Sequence, residues 1–311
     1  MCIRSTAEIN EQPEMKNKPK IRRILKWTGI IIAILIVLIC AELIYSNYAL
    51  TVSRYAASSA KAVGSVRIVF LSDLHGREFG KDNSRLLKKI AEEEPDIIAL
   101  VGDIFNNNAD DAEVERMCAF ITAASKLAPV YFSMGNHEYG YMQKHATSLT
   151  DRITEAGAVV LDSSYLDIEI NGTPVRIGGY EGYYRTPHMT SSDPERQAAD
   201  FAFFDDFENT DRLKLLLNHI PTNWLDWDYR DKTPVDLVLS GHYHGGVVRI
   251  PIIEKGLFAP YVGKFPPYTK GVFEGKKATC ILSAGMAGSS GVPRFFNPPE
   301  IVTVDISPEK P

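Results

Sequence analysis

Side chains that bind metal ions recur in five short segments of the chain, most of which also contain glycine. The segments are Asp73-Leu74-His75, Gly102-Asp103, Gly135-Asn136-His137-Glu138, Asn218-His219 and Gly241-His242-Tyr243-His244. In the last of them, two histidines one residue apart project to the same side of an extended chain. Imidazole, carboxylate and amide oxygen all bind borderline divalent metals, although a lone pair of histidines is more often a packed or surface pair. It is the recurrence of such segments that predicts a metal site.

The first three segments each follow a predicted β-strand. Apolar runs predict the strands at Val66–Leu71, Ile97–Val101 and Val130–Met134. Helical apolar spacing predicts two helices between them, at Asn83–Glu94 and Asp111–Leu127. This alternation favours right-handed crossovers and a largely parallel sheet, in which sites form at the carboxyl ends of the strands. A single aspartate there is as easily explained as a helix cap, but three ligand-type segments at three strand ends are not.

The second half of the chain continues the strand pattern. Lys214–Leu217 precedes Asn218-His219, and Val235–Leu239 precedes the histidine pair. Asn171-Gly172 is a strong hairpin signal. Further short alternating segments predict a second, more antiparallel sheet; they are Leu166–Ile170, Val175–Gly178, Val247–Ile250, Thr279–Ser283 and Ile301–Asp305. Residues 182–211 interrupt this rhythm and predict a partly helical, aromatic-rich insert whose phenylalanines serve core packing.

An uninterrupted apolar run from Trp27 to Ala41, extended to Tyr45, predicts a membrane-spanning helix. Its roughly 19 residues would measure about 28 Å, close to the ~30 Å hydrocarbon core of a bilayer. Seven Lys or Arg residues precede the run, six of them between Lys16 and Lys26, and only Arg54 and Lys61 follow it before the folded part. The positive-inside rule then puts the amino terminus in the cytoplasm and the rest outside. A cleaved signal peptide is the alternative, but the residues around Tyr45 lack the small-residue pattern of a cleavage site.

Composition and charge narrow the class of protein. The 311 residues are 45% hydrophobic and 23% charged, which is typical of a globular protein with a sizeable core. The net charge is -5, and because residues 1–26 hold +4, the remainder holds -9. Such an acidic body argues against nucleic acid as a partner. The four cysteines do not form the pattern of a disulfide framework.

These patterns divide the chain into four parts. We predict a basic cytoplasmic tail at 1–26, a transmembrane signal anchor at 27–45, a small and polar stalk at 46–64, and one domain at 65–311. The ligand-type segments all fall in the last part.

The ordered set of ligand-type segments resembles the calcineurin-like metallophosphoesterase superfamily, and more narrowly its bacterial membrane-anchored, cell-envelope branch. The similarity extends from about Val66 to Asp305 and includes Pro95-Asp96-Ile97-Ile98 and the stretch from Arg294 to Ile301. The resemblance implies an α/β fold, a four-layer α-β-β-α sandwich of two mixed sheets flanked by helices, here preceded by one transmembrane helix. It also implies two divalent metal ions per chain, with manganese favoured and iron or zinc as alternatives.

The resemblance assigns roles to individual residues. One metal would be held by Asp73, His75 and His244, the other by Asn136, His219 and His242, and Asp103 would bridge both. His137 and Asn136 are the expected catalytic residues: His137 would bind phosphate and protonate the leaving oxygen. Asn136, His137 and Arg77 would contact the substrate, although a solvated surface position is an alternative for Arg77. The loop after Gly178-Gly179 departs from the family pattern. Many relatives have an acidic residue two or three positions after the glycines, in a valine- or aspartate-rich loop, whereas this chain has Tyr180-Glu181-Gly182.

The function implied is a metal-dependent phosphoesterase on the outer face of the cytoplasmic membrane. It would cleave phosphodiester or diphosphate bonds by in-line attack of a metal-bridging hydroxide. Its partners would be the membrane and a phosphate ester, with lipid-linked and cell-wall-linked substrates both open. One alternative is a lipid-linked nucleotide-diphosphate hydrolase of the UDP-diacylglucosamine type, although such substrates are usually cytoplasmic. Another is a non-catalytic, metal-stabilised interaction module.

Overall fold

The structure is a computed structural model that describes residues 18–145, 148–180, 194–226, 229–253, 255–260, 262–289 and 291–309. The chain divides into two compact units, Met1–Glu42 and Leu43–Pro311. Within the described residues, one helix is long and apolar enough to cross a membrane, as an anchor or as a signal sequence. It is helix α1 (Lys18–Tyr48), whose apolar part spans Lys20–Tyr48 with a mean hydropathy of 2.7.

The first sheet has six strands in the order β1-β16-β2-β3-β4-β5. Strands β2 to β5 are parallel, whereas β16 runs antiparallel to β2 and parallel to β1. Parallel strands covered on both faces are expected to be apolar throughout, as the buried β3 is. The bounds are Thr51–Ser59 (β1), Val66–Leu71 (β2), Ile97–Val101 (β3), Val130–Ser133 (β4), Ala158–Leu161 (β5) and Glu300–Pro308 (β16).

The second sheet also has six strands, in the order β14-β15-β9-β8-β7-β6. Its four central strands are parallel and only the two edge strands are antiparallel, so the predicted antiparallel character holds at the edges alone. The predicted hairpin at Asn171-Gly172 joins β6 and β7. The bounds are Ser164–Ile170 (β6), Thr173–Tyr180 (β7), Leu213–Asn218 (β8), Leu237–Ser240 (β9), Gly271–Glu274 (β14) and Thr279–Leu282 (β15).

Strand β16 belongs to the first sheet, so the expectation that Ile301–Asp305 completes the second sheet is wrong. The first five residues of β16 are all buried, because neighbouring strands flank it on both edges and apolar layers cover both faces. A pattern of local alternation does not reveal which of two sheets such a strand enters.

Helices complete the four layers that the resemblance implies. Helices α2 to α5 bury their apolar faces on the outer side of the first sheet, and a second apolar cluster fills the space between the sheets. A third cluster covers the far side of the second sheet and contains Phe203 and Phe207 of helix α6, as predicted for the aromatic insert. The helices are Ser84–Glu92 (α2), Asp111–Ala124 (α3), Asn136–His145 (α4), Leu149–Glu155 (α5), Pro194–Glu208 (α6), Thr222–Leu225 (α7) and Tyr229–Lys232 (α8).

The rest of the insert, from 182 to 193, lies outside the described residues, as does Glu181. After the histidine pair, the predicted strand at Val247–Ile250 is reduced to a two-residue strand. It begins a pair of small hairpins, β10 (Arg249–Ile250) with β11 (Lys255–Gly256) and β12 (Phe258–Ala259) with β13 (Gly263–Lys264).

The segment predicted as a stalk differs from that expectation. Ser46 to Tyr48 end helix α1, and Thr51–Ser59 form β1, which pairs with β16 along its full length. The strand could not be recognised from its small residues, because only Val52 and Tyr55 of β1 pack against the two apolar clusters that cover the faces of the first sheet.

Candidate metal centre

The predicted ligands come together where strands of both sheets end. Strands β2, β3 and β4 are parallel neighbours, as are β8 and β9, so their carboxyl ends lie side by side within each sheet. The ligand atoms form three groups, in each of which all atoms lie within 4.8 Å of one another. The groups are Asp73, His75 and His244; Asp103, His219 and His242; and His75, Asp103 and His137.

Asp103 lies between the first two groups. Its Oδ2 is 3.1 Å from His219 Nε2 and 3.8 Å from His75 Nε2. Its other oxygen, Oδ1, accepts a 2.8 Å hydrogen bond from the backbone N–H of His137. One carboxylate therefore faces ligands of both groups, which is the arrangement a bridging ligand requires.

Backbone carbonyls fix the orientation of two of the imidazoles. His219 Nδ1 lies 2.8 Å from Val101 O, and His244 Nδ1 lies 3.2 Å from Ala287 O. Because a carbonyl only accepts, Nδ1 donates and carries the proton of the neutral ring, so that Nε2 is free to bind a cation. In both residues Nε2 faces Asp73 Oδ1, at 3.8 and 3.6 Å respectively.

Burial governs the protonation of these groups. It lowers the pKa of His75 to about 4 and that of His242 to about 3, which keeps both rings neutral. Burial also opposes charge on His219, but attraction to Asp103 and Asp73 outweighs it and raises the pKa of His219 to about 10. The pKa of Asp103 stays well below its ordinary value because its attraction to His219 and His75 overcomes the effect of burial. The two buried carboxylates of the site, Asp73 and Asp103, thus need cationic partners.

The donor set fits a pair of divalent metal ions. Among the described residues, the buried atoms His75 Nε2 and Asn136 Oδ1 have no hydrogen-bond partner, although a buried polar atom normally has one. The mixture of imidazole nitrogens with carboxylate and amide oxygens suits manganese, iron or zinc. Asn136 begins α4 and lines the same 620 Å³ cavity as Asp103 and His242.

Five of the ligand residues have left-handed backbone conformations, with φ between 48° and 70°. These residues are Asp73, His75, Asp103, His242 and His244. Such conformations cost roughly 1–3 kcal/mol each in non-glycine residues and cluster at functional sites. Glycine is needed beside them: a Cβ on Gly102, whose φ is +68°, would lie 2.5 Å from the His219 ring. The sequence gives no sign of this strain, because the strained residues are not glycines.

Glu138 has a role that sequence reasoning missed. Its fully buried carboxylate accepts hydrogen bonds from four backbone N–H groups, those of Asp103, Ile104, Phe105 and Gly135. Burial and the neighbouring charge of Asp103 raise the pKa of Glu138 to about 7, while the N–H groups oppose that shift. Glu138 thereby joins the segment after β3 to the turn before α4. The sequence shows Glu138 at the end of the Gly-Asn-His-Glu segment, but it gives no sign of the backbone N–H groups that the carboxylate binds.

Arg294 is a second residue that sequence reasoning missed. Its guanidinium is fully buried and donates to the carbonyl oxygens of Ala284, Ala287 and Asn297. Ala287 O also contacts His244 Nδ1, and Asn297 Nδ2 donates to His244 O at 2.8 Å. The segment from 284 to 297 is therefore folded around Arg294 and supports a predicted metal ligand.

The other predicted substrate contacts, His137 and Arg77, lie in different surroundings. His137 is half-buried in the cavity, and its Nδ1 accepts from Asn107 N–H at 3.2 Å. Arg77 lines a neighbouring cavity instead, where its guanidinium lies 5.5 Å from the Tyr48 ring centre and 4.9 Å from that of Phe79. Its side chain donates to Asn47 O and is half-buried, so it is not a solvated surface arginine.

A two-sheet sandwich with these ligands at its strand ends defines a metallophosphoesterase architecture. The family profile of calcineurin-like phosphoesterases matches residues 66–246, and the chain belongs to that family. The family uses a dinuclear divalent metal centre, for which this chain has candidate ligands. Membership supports a metal-dependent phosphoester hydrolase.

Two bacterial relatives are described only as uncharacterised metallophosphoesterases. The one from Campylobacter jejuni is 27% identical over 251 residues, which cover 79% of this chain and 60% of the relative. The one from Aquifex aeolicus is 28% identical over 283 residues, which cover 84% and 93%. The chain thus spans less than two thirds of the Campylobacter protein.

Solved structures with a similar chain path include TT1561 of Thermus thermophilus and the purple acid phosphatase PPD1 of yellow lupin. The first has a TM-score of 0.43 and 14% identity, and the match covers 71% of this chain and 89% of that one. The second has a TM-score of 0.46 and 12% identity, with coverage of 81% and 55%.

Proposed function

We propose that this chain is a manganese-dependent phosphoesterase that hydrolyses phosphodiester or diphosphate bonds at the outer face of the cytoplasmic membrane. The observation that carries the proposal is that six of the seven predicted ligands form overlapping groups with His137, while the seventh, Asn136, lines the same cavity as four of them and His137. The apolar part of helix α1 and the excess of Lys and Arg before it support the membrane location and the orientation.

The residues that would hold the metals follow from the donor set. Asp73, His75 and His244 would bind one ion, Asn136, His219 and His242 the other, and Asp103 both. When bound, two such ions provide Lewis acidity, an activated water, and compensation of charge at the attacking and leaving oxygens. The carbonyl contacts of His219 and His244 place the proton of each neutral ring on Nδ1 and orient Nε2 toward the site.

His137 would transfer the proton to the leaving oxygen. Because Asn107 N–H donates to Nδ1, the neutral ring has its proton on Nε2, on the side away from that backbone contact. Hydrolysis breaks the bond between phosphorus and the leaving oxygen, and the oxygen of water takes its place. A neutral imidazole is too weak an acid to lose this proton, so the ring would act as the imidazolium. Its Nε2 proton would neutralise the departing alkoxide or phosphate, and the proton released by the attacking water would restore the imidazolium.

The lining of the cavity supports diesters and diphosphates over monoesters. Among the described residues that line it, there is no lysine or arginine. The polar side chains are four imidazoles, the carboxylate of Asp103, the hydroxyl of Ser289 and the amides of Asn106, Asn108 and Asn136. A phosphomonoester carries two negative charges at neutral pH, whereas each phosphoryl group of a diester or of a substituted diphosphate carries one. The singly charged group needs less positive charge from the protein.

The test uses the full chain in detergent micelles, stripped with a chelator and then supplied with Mn²⁺. Bis(4-nitrophenyl) phosphate and 4-nitrophenyl phosphate are assayed side by side. We expect turnover only with Mn²⁺, a higher kcat/KM for the diester, and no turnover by Asp103→Ala.

The matched control is Asp305→Ala, which removes an exposed partner of Arg67 and should leave turnover unchanged. Turnover that resists chelation, or that persists in Asp103→Ala, would contradict the proposal. Preference for the monoester would retain the hydrolase and reject the diester assignment.

A further inference from the structure

A second cavity, of about 730 Å³, lies beside the metal centre. Its walls come from three places in the folded unit: the end of α1, residues 287–288 with 291–293, and the residues just after β2. Leu43, Ile44, Val292 and Pro293 give it apolar walls, and Arg77 contributes a positive charge. This volume is within the ~300–1,000 Å³ range of small-molecule sites.

The two cavities adjoin at one candidate metal ligand. His75, Gly288 and Gly291 line both of them. Gly291 leaves the junction open: a Cβ there would have no described atom within 4 Å, and its φ of +75° disfavours any side chain. A molecule with a phosphoryl group at the metal ligands therefore has a direct route into the second cavity.

Large apolar side chains in the walls of the second cavity are exposed to solvent. The side chains of Ile44 and Val292 are 63% and 48% exposed. Leu43 and Ile44 also lie near the carboxyl end of the helix that is long and apolar enough to cross a membrane. A substrate in this cavity thus lies within one helical turn, along the chain, of the segment suited to hydrocarbon.

Arg77 indicates where charge is accepted in this cavity. The guanidinium is held over Tyr48 and Phe79 and donates to Asn47 O through Nη2. An arginine has five N–H groups, so this single bond leaves donors for an anionic or hydroxylated headgroup. The second cavity thus combines the positive charge of Arg77 with apolar walls, and the candidate metal ligand His75 lies where it adjoins the metal cavity.

We propose that the second cavity binds the hydrocarbon chain of a membrane-borne phosphate ester while its phosphoryl group occupies the metal cavity. The proposal rests on the proposed function and specifies its substrate class, an amphipathic lipid with a phosphodiester or diphosphate bond. Hydrolysis adds one water across that bond and leaves the phosphate on one fragment and a hydroxyl or second phosphate on the other.

The test compares two chromogenic diesters that differ only in chain length, butyl and hexadecyl 4-nitrophenyl phosphate. The full chain is reconstituted in phosphatidylcholine nanodiscs with Mn²⁺. We expect kcat/KM to be at least about tenfold higher for the hexadecyl ester, since each buried methylene contributes about 0.8 kcal/mol. Partitioning into the bilayer also raises this ratio, but it does so equally in every variant.

The variant Val292→Asp places a charge in the apolar wall without touching a metal ligand. We expect it to lower the hexadecyl-to-butyl ratio about tenfold and to leave butyl turnover unchanged. Val272→Asp is the control, because Val272 is similarly exposed at 39% but lies on edge strand β14, outside the described lining of this cavity. An unchanged ratio in Val292→Asp, or an equal fall in both substrates, would overturn the proposal.

A second readout does not depend on activity. Hexadecyl phosphate with a diazirine at its chain end is cross-linked to the protein, and the labelled peptides are mapped by mass spectrometry. We expect labels within 43–48 and 287–293, lost in Val292→Asp. If butyl ester is not turned over, the proposed function fails while the labels still decide the lipid site. If Val292→Asp instead dissociates an oligomer without changing the labels, the cavity is a contact between copies and the lipid site is rejected.

Discussion

At the residue scale, the hydrogen bond from Asn107 N–H to His137 Nδ1 fixes which nitrogen can give a proton to the substrate. His137→Ala should lower kcat by about 10²- to 10⁴-fold for an alkyl leaving group, the range typical of a lost general acid. It should do so by much less for 4-nitrophenol, which leaves without protonation. The measurement is kcat across a series of leaving groups, together with metal content. Equal losses for all leaving groups would exclude the acid role.

Glu138 makes a prediction about stability. In Glu138→Gln, an amide NH₂ replaces one carboxylate oxygen and faces backbone N–H donors that now lack an acceptor. Each oxygen accepts two of these bonds, so the amide leaves two buried donors unpaired. Each such donor costs about 1–3 kcal/mol, so we expect the free energy of unfolding to fall by at least about 2 kcal/mol. Urea unfolding of the full chain measures this, with the exposed Glu155→Gln as the control. A change below 0.5 kcal/mol, roughly that of a surface substitution, would show that the bonds are dispensable.

Residue types and their order were enough to predict which metal-binding side chains would lie together, but not what surrounds them. Asp73, Asp103 and His242 are visible as metal-binding types, whereas Glu138 and Arg294 act through backbone atoms that carry no sequence signature. The left-handed backbone conformation of the candidate ligands could not be predicted either, because it follows from tertiary packing and these residues are not glycines.

At the element scale, the segment from 284 to 297 depends on the buried guanidinium of Arg294. Arg294→Met should remove one donor from each of three carbonyl oxygens, including Ala287 O, which also contacts His244, and so loosen the support of His244. Loss of such an outer partner typically lowers metal affinity or activity about 10- to 100-fold. We expect the Mn²⁺ concentration at half-maximal activity to rise by that factor, with Arg212→Met, a partly exposed partner of Asp167, as the control. An unchanged Mn²⁺ requirement would contradict this role.

Elements with strong local patterns were predicted well, and elements defined by their partners were not. Helix α3 begins where predicted, with Asp110 accepting from Glu113 N–H at 2.7 Å as its cap. The sequence of β1 predicts a stalk, because its serines and alanines have little β-propensity. The alternating pattern of β16 predicts a strand but gives the wrong sheet. Strand pairing between residues some 250 positions apart leaves no trace in either local sequence.

At the scale of the whole molecule, the pairing of β1 with β16 determines where a soluble fragment can start. A fragment of residues 60–311 removes β1 and exposes the edge of β16, whereas residues 43–311 keep the whole folded unit. We expect the shorter fragment to unfold at least 10 °C lower, because a loss of a few kcal/mol in a domain of this size shifts Tm by about 2–4 °C per kcal/mol. Thermal unfolding by circular dichroism provides the measurement. Equal melting temperatures would mean that β1 adds no stability.

The place of β16 also sets the order of events as the chain is made. This strand comes long after β2 in the chain, yet the two strands pair. Until Glu300–Pro308 has been synthesised, one edge of β2 has no native partner, and such an edge can pair with other chains. Closing the sheet joins residues more than 230 positions apart, and contacts of that range are slow to form. The first sheet therefore cannot be completed before β16 has been made, and the open edge of β2 needs protection until then.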